Sequence, residues 1–154
     1  MTDPIQESLA ILHKLIQHEE NMGAVYHECA RQFSAHENFW QQIAMEERQH
    51  VQILQNLRPE IEAGSIRVAN GVKAMESLRM FLDYQRQQYK VLTHNSLPLK
   101  TVVLMALDLE DSMVEKRFYG YFTGGVPSLT QATEALTSGT LAHIARLTTL
   151  KESL

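Results

Sequence analysis

The chain has 154 residues, of which 44% are hydrophobic and 21% charged, and its formal net charge is −4 at pH 7. This composition is typical of one globular domain, which we expect to span residues 1–154. The acidic balance argues against nucleic-acid binding, and no apolar run approaches the roughly 18 residues of a membrane span. The single cysteine, Cys29, excludes an internal disulfide, and the N-terminus lacks the pattern of a signal peptide. We therefore expect a cytoplasmic protein.

Helix-forming residues dominate the sequence, and β-branched runs are few. The helix start signals are Asp3-Pro4, the stretch 34–37 as a capping box, and Ser128 before the last helix. The apolar spacing between these signals predicts helices near 4–33, 36–57, 72–93, 97–122 and 128–152, with an irregular connection over 58–69.

Short links join the first two helices and the last two, so each pair is predicted to be antiparallel. The segment 58–96 must then cross over between the pairs while carrying a helix of its own. This arrangement is typical of an all-α fold in which a four-helix bundle has one long crossover connection.

Each bundle helix carries an apolar stripe with 3/4 spacing that polar residues interrupt near its middle. The interruptions are Glu19 in the first helix, Glu47 and His50 in the second, Glu110 in the third and His143 in the fourth. If the helices alternate in direction, these side chains meet at one level inside the bundle. Because a buried carboxylate without a partner costs several kcal/mol, the group needs a cation, shared protons or water. A divalent metal satisfies all five residues at once, whereas a single core glutamate is more often a buried polar residue bonded to water or tyrosine than a ligand.

The pattern resembles the ferritin-like superfamily, and most closely its rubrerythrin-type members. Those proteins combine a Glu from each of two helices with a Glu-x-x-His from each of the other two. Glu19 with Tyr26 seven residues later is similar to the first-helix motif, and Glu47-x-x-His50 to the second. Glu110, in the stretch LDLEDSMVEKRFY, is similar to the third-helix ligand.

The fourth helix departs from the family pattern. The expected Glu-x-x-His reads Thr140-Leu141-Ala142-His143, and Glu134 lies off the stripe and cannot replace the missing glutamate. The motifs of the first two helices would still hold one metal ion. His143 and Glu110 would then complete its coordination sphere or support a weak second ion.

The resemblance implies an iron-binding protein that reacts with peroxide or oxygen, with manganese and zinc as alternative metals. It also implies a homodimer and, because a rubredoxin-like tail with its Cys-x-x-Cys pairs is missing, an external electron donor protein. Tyr26 is expected to hydrogen-bond a ligand or a bound oxygen species, or to pack with its hydroxyl satisfied. Two rival hypotheses remain open: a non-catalytic ferritin-like scaffold or interaction module with a degenerate site, and a zinc-stabilised bundle without redox chemistry.

The remaining polar residues have mainly structural interpretations. Arg117 falls on the inner stripe of the third helix, where it is expected to bind a substrate anion, to extend towards solvent, or to neutralise the core carboxylates. The histidines outside the stripes, among them His18 and His27, are expected at the surface. Cys29 is expected to be an inert buried thiol.

Overall fold

The protein is described here by a computed structural model covering residues 3–154, and its fold class is all-α. Within those residues, six α-helices span Pro4–Gln32 (α1), Glu37–Gln55 (α2), Arg58–Glu62 (α3), Gly71–His94 (α4), Leu99–Lys116 (α5) and Pro127–Glu152 (α6). Two short strands, Arg67–Val68 (β1) and Phe122–Thr123 (β2), form an antiparallel ribbon. None of the described helices has the length and apolar character that a bilayer crossing requires.

The helix start signals were predicted with mixed success. Asp3 caps α1 as predicted, since its Oδ1 accepts a hydrogen bond of 2.9 Å from a first-turn amide. Asn70, which was not among the predicted start signals, caps α4 in the same way at 3.2 Å. The capping box at 34–37 was wrong, because Ser34–His36 form a 3₁₀ turn and α2 begins at Glu37 without a side-chain cap. Ser128 lies inside α6, which begins at Pro127.

The paired helices run antiparallel, as their short links predict. In α1 and α2, Glu19 lies beside His50, while Tyr26, two turns further along α1, stacks on Trp40. α5 and α6 pair in the same sense, and α2 also packs along α6. Side chains from α1, α2, α5 and α6 can therefore meet at one depth.

The connection between α2 and α5 is more ordered than the sequence predicts. Instead of an irregular stretch over 58–69, the chain forms α3 and then β1, which pairs with β2 through Val68 opposite Phe122. The long helix α4 then runs parallel to α1: Gln85 bonds to His18, and further along Gln32 bonds to the carbonyl of Leu92. One whole side of α1 is thereby covered by α4.

The predicted helix 97–122 ends early, at Lys116. Arg117 adopts the left-handed conformation, with φ 51° and ψ 43°, which costs a non-glycine residue about 1–2 kcal/mol. The turn changes the direction of the chain so that the 3₁₀ helix Phe118–Tyr121 buries both Phe118 and Tyr119. Burial of two large aromatic side chains offsets the cost of the turn, at roughly 1.5–3 kcal/mol for a side chain such as Phe.

Candidate metal centre

The five polar interruptions of the apolar stripes meet in the interior, and each residue is at most 6% exposed. They form two clusters whose ligand atoms lie within 4.8 Å of one another: Glu19, Glu47 and His50 in the first, and Glu47, Glu110 and His143 in the second. Glu47 belongs to both. These buried Glu/His clusters could hold a metal ion.

In the first cluster, unpaired ligand atoms face one another. The Nδ1 atom of His50 lies 3.2 Å from Oε2 of Glu47 and 3.6 Å from Oε2 of Glu19. Neither His50 Nδ1 nor Glu47 Oε2 has a hydrogen-bond partner within the described chain, because their approach lacks hydrogen-bond geometry. Buried polar atoms are nearly always paired, so two unpaired ones directed at each other suggest a cation between them.

The His50 ring occupies space that a glycine leaves open. A Cβ atom on Gly139, in the middle of α6, would lie 2.3 Å from Nε2 of His50. Glycine inside a helix costs about 1 kcal/mol relative to alanine, so its presence at this position needs a reason. Room for the imidazole supplies one.

In the second cluster, both ring nitrogens of His143 are engaged. Nδ1 lies 2.9 Å from Oε1 of Glu47 and 3.2 Å from Oε1 of Glu110. Nε2 lies 3.2 Å from Oε1 of Glu46, whose carboxylate accepts two hydrogen bonds, of 2.7 and 2.9 Å, from Arg146. A carboxylate bonded to the far nitrogen is the usual way in which proteins orient a metal-binding histidine.

A tyrosine holds each carboxylate that the two clusters do not share. The hydroxyl of Tyr26 donates to Oε1 of Glu110 at 2.5 Å, and the hydroxyl of Tyr119 donates to Oε1 of Glu19. Burial and the adjacent carboxylates raise the pKa of both phenols well above the ordinary value, so both remain donors. Tyr26 is thus engaged with a predicted ligand, whereas Tyr119 was not predicted to take part.

Protons supply the positive charge that the metal-free cluster needs. Burial, followed by repulsion from Glu47, raises the pKa of Glu19 to about 7. Burial lowers the pKa of each cluster histidine, but the adjacent carboxylates outweigh it. They raise the pKa of His50 and of His143 to about 10. A divalent ion could replace those protons, because metal binding to histidine requires the neutral imidazole.

His18 is buried, contrary to the surface position predicted for it, because α4 covers its side of α1. The side-chain amide of Gln85 lies 3.1 Å from the His18 carbonyl, which can only accept, so its NH₂ group must face that oxygen. The same NH₂ group lies 3.0 Å from Nδ1 of His18, which therefore accepts. Burial lowers the pKa of His18. The neutral ring then carries its proton on Nε2, 3.9 Å from Oε2 of Glu19.

The structure also shows the positions of three further residues considered in the sequence: Arg117, Thr140 and Cys29. Arg117 cannot neutralise the core carboxylates, because α5 ends before it and its side chain is exposed. Thr140 is buried, and its hydroxyl donates to the carbonyl of Leu136 at 2.9 Å. Cys29 is buried, as expected, and burial raises the pKa of its thiol to about 12.

Comparison with protein-family models, with curated protein sequences and with solved structures gives no match. The interpretation of the centre therefore depends on its own chemistry. Three features fit a divalent ion: the unpaired Glu47 and His50 atoms, the space left at Gly139, and a donor set composed only of carboxylates and imidazoles.

Proposed function

We propose that this chain is a ferritin-like, rubrerythrin-type protein that binds non-haem iron and reacts with peroxide or oxygen. The observation that supports this proposal is the position of Glu47. Its Oε1 atom faces His143 Nδ1 at 2.9 Å and its Oε2 atom faces His50 Nδ1 at 3.2 Å. A carboxylate with one oxygen in each of two clusters would supply a ligand atom to a metal ion in either cluster.

The donor set supports iron but does not exclude manganese or zinc, since imidazole and carboxylate ligands suit all three. Iron bound at the centre would supply electrons to an oxygen–oxygen bond. We expect a tight ion at the His50 cluster and a weaker one at the His143 cluster, because Thr140 stands where the family pattern has a glutamate.

The surrounding residues orient the ligands and exclude water. Tyr119 and Tyr26 each fix one carboxylate oxygen, which leaves the second oxygen of Glu19 and of Glu110 for a metal. Trp40 stacks on Tyr26 with ring centroids 5.8 Å apart and closes that side of the centre. The Tyr26 hydroxyl donates to Oε1 of Glu110. From there it can stabilise negative charge that develops at the centre when peroxide or oxygen is reduced.

Iron reconstitution tests the metal-binding part of the proposal. Protein purified without chelators and loaded anaerobically with Fe²⁺ should retain at least one iron per chain after desalting, and Glu47→Gln should retain far less. Trp40, the only tryptophan, should report loading through quenched fluorescence, because it stacks on a ligand-bonded tyrosine. Retention below about 0.2 metal per chain, for iron, manganese and zinc alike, would contradict metal binding.

Peroxide consumption tests the reactive part. Iron-loaded protein should consume hydrogen peroxide with a chemical reductant present, and the rate should fall to that of free iron in Glu47→Gln. Equal rates in the two proteins would remove the catalytic proposal while leaving iron binding intact.

A second candidate function is a scaffold with a degenerate site. It is favoured by Thr140, whose hydroxyl is satisfied by Leu136, and by His143, both of whose ring nitrogens already have protein partners. A scaffold predicts a folded protein that binds no metal and consumes no peroxide, so the same two measurements separate the two candidates.

A further inference from the structure

A cavity of about 310 Å³ lies beside the metal centre, between the C-terminal end of α5 and one face of α6. Its volume is at the lower end of the range for small-molecule sites, which is roughly 300–1,000 Å³. Its lining residues include Tyr119, whose hydroxyl donates to Glu19, and the buried Thr140. The cavity therefore adjoins the Tyr119 side chain that contacts Glu19.

The inner end of the cavity offers no free hydrogen-bond donor. The Tyr119 hydroxyl donates its proton to Glu19, and the Thr140 hydroxyl donates to the carbonyl of Leu136 at 2.9 Å. A ligand carboxylate placed there would find no donor and would lie close to the buried Glu19. The inner end consequently favours an apolar group.

The walls of the cavity are largely hydrocarbon. Met113 and Val114 from α5 supply hydrocarbon, and Thr133 and Thr137 from α6 also line the cavity. Side chains of this type bind an aliphatic chain by excluding water from it, without selecting polar groups along its length.

A positive charge stands at the outer end. Arg117 lines the cavity while remaining exposed, and its left-handed backbone at the end of α5 places it there rather than on the helix face. Among residues 3–154 its guanidinium forms no ion pair, unlike Arg58 and Arg86, which pair with acids on their own helices. An unpaired arginine is well suited to bind a carboxylate through two parallel hydrogen bonds.

We propose that this cavity binds a short, unbranched aliphatic monocarboxylate, with its methyl end against Thr140 and its carboxylate at Arg117. The orientation follows from the apolar inner end and the cationic mouth. Binding requires no metal.

Calorimetric titration of metal-free protein with sodium hexanoate tests the binding. We expect one hexanoate per chain, and Arg117→Gln should weaken its binding about tenfold, the loss expected for a hydrogen-bonded charge pair. Lys116→Gln is the matched control, because this exposed neighbour carries the same charge but does not line the cavity. Hexan-1-ol should bind wild type and Arg117→Gln alike. Absence of hexanoate binding, or equal weakening by both substitutions, would overturn the proposal.

A second variant tests the position of the aliphatic chain. Thr137→Leu adds bulk at a half-buried lining position and should abolish binding of hexanoate and of hexan-1-ol. Thr130→Leu, an exposed position on the same helix, should leave both unchanged. Hexanoate binding unaffected by Thr137→Leu would show that the acid binds elsewhere. Since all titrations use metal-free protein, a failure here is distinct from a failure to bind iron.

Discussion

The two halves of the candidate centre share Glu47 but differ in what surrounds their histidines. His50 has an unpaired Nδ1 atom, and its ring lies in the space left by Gly139. His143 is bonded at both nitrogens, and Glu46 anchors its outer side. The first half has ligand atoms without partners, whereas the second half is satisfied by the protein itself.

This difference predicts that the two halves would hold a metal ion with unequal affinity. Because α6 carries Thr140 and no glutamate three residues before His143, the buried histidine needs carboxylates from other positions to take up its hydrogen bonds. Glu46 and Glu110 do so for His143. The second half is therefore stable without metal, and a metal there must displace existing hydrogen bonds.

Substitution of Glu47, the carboxylate that both clusters share, should have the largest effect on metal binding, because it alters both halves of the centre. Glu47→Gln keeps the size of the side chain but removes the charge that faces both histidines. We expect the affinity for the tight ion to fall more than 100-fold, beyond the 10–100-fold loss typical of outer-sphere changes. Competition with a chromophoric chelator measures this affinity. A tight ion retained in Glu47→Gln would contradict the role of Glu47 as a shared ligand.

The first half can be broken alone by Gly139→Ala. The added Cβ would lie 2.3 Å from Nε2 of His50, so the imidazole must move, and the tight ion should be lost. Gly23→Ala is the matched control, because its Cβ would lie 3.8 Å from that of Glu47, which is ordinary contact. Both changes replace a helical glycine with alanine. Helix propensity alone should therefore increase the free energy of unfolding of each variant by up to about 1 kcal/mol. Equal metal retention in the two variants would exclude the proposed position of His50.

The second half can be strengthened by Thr140→Glu, which restores the Glu-x-x-His pattern. The adjoining cavity of about 310 Å³ gives the longer side chain room. Iron retained after desalting should rise from about one ion per chain toward two. Thr137→Glu, one turn earlier in α6, is the control and should leave the iron stoichiometry unchanged. The same Thr140 variant should also lose hexanoate binding, since it fills the inner end of the cavity.

The sequence located the five buried polar residues because each interrupts an apolar stripe. A stripe describes one face of a helix, however, so His18, just outside it, was wrongly predicted at the surface, and Glu46 was not predicted to take part. Glu46 precedes Glu47, and His18 precedes Glu19, each rotated by about 100° around its helix. α6 packs against Glu46, and α4 covers His18. Which helix covers a neighbouring face depends on tertiary packing, which the periodicity of a single helix does not contain.

Tyr119 was missed for a different reason. The apolar spacing of 97–122 predicts one continuous helix, which would place Val114 and Arg117 inside. The left-handed residue at 117 ends α5 instead and rotates the following aromatic residues into the core. No glycine or proline marks that turn, so the local sequence carries little signal for it.

Substitution of Glu46, which bonds to His143 Nε2, should have a smaller effect on metal binding, confined to the second half of the centre. Glu46→Gln removes the charged acceptor of His143 Nε2 and the partner of Arg146. The second ion should bind 10–100-fold more weakly, as for other outer-sphere substitutions, while the first ion is unaffected. Glu37→Gln, an exposed carboxylate on the same helix, is the control. Loss of the first ion in Glu46→Gln would mean that the halves are not separable.

Cys29 should show the smallest change, and it distinguishes local changes at the centre from general loosening of the helices. Because burial raises the pKa of its thiol to about 12, the unreactive protonated form dominates at every pH below that value in the folded protein. At pH 8 a thiol reagent should therefore modify Cys29 only after denaturation, in wild type and in each variant. If Gly139→Ala alone exposed Cys29 to the reagent, its metal loss would reflect opening of the helix packing rather than displacement of His50. Protection equal to that of Gly23→Ala would assign the loss to the imidazole.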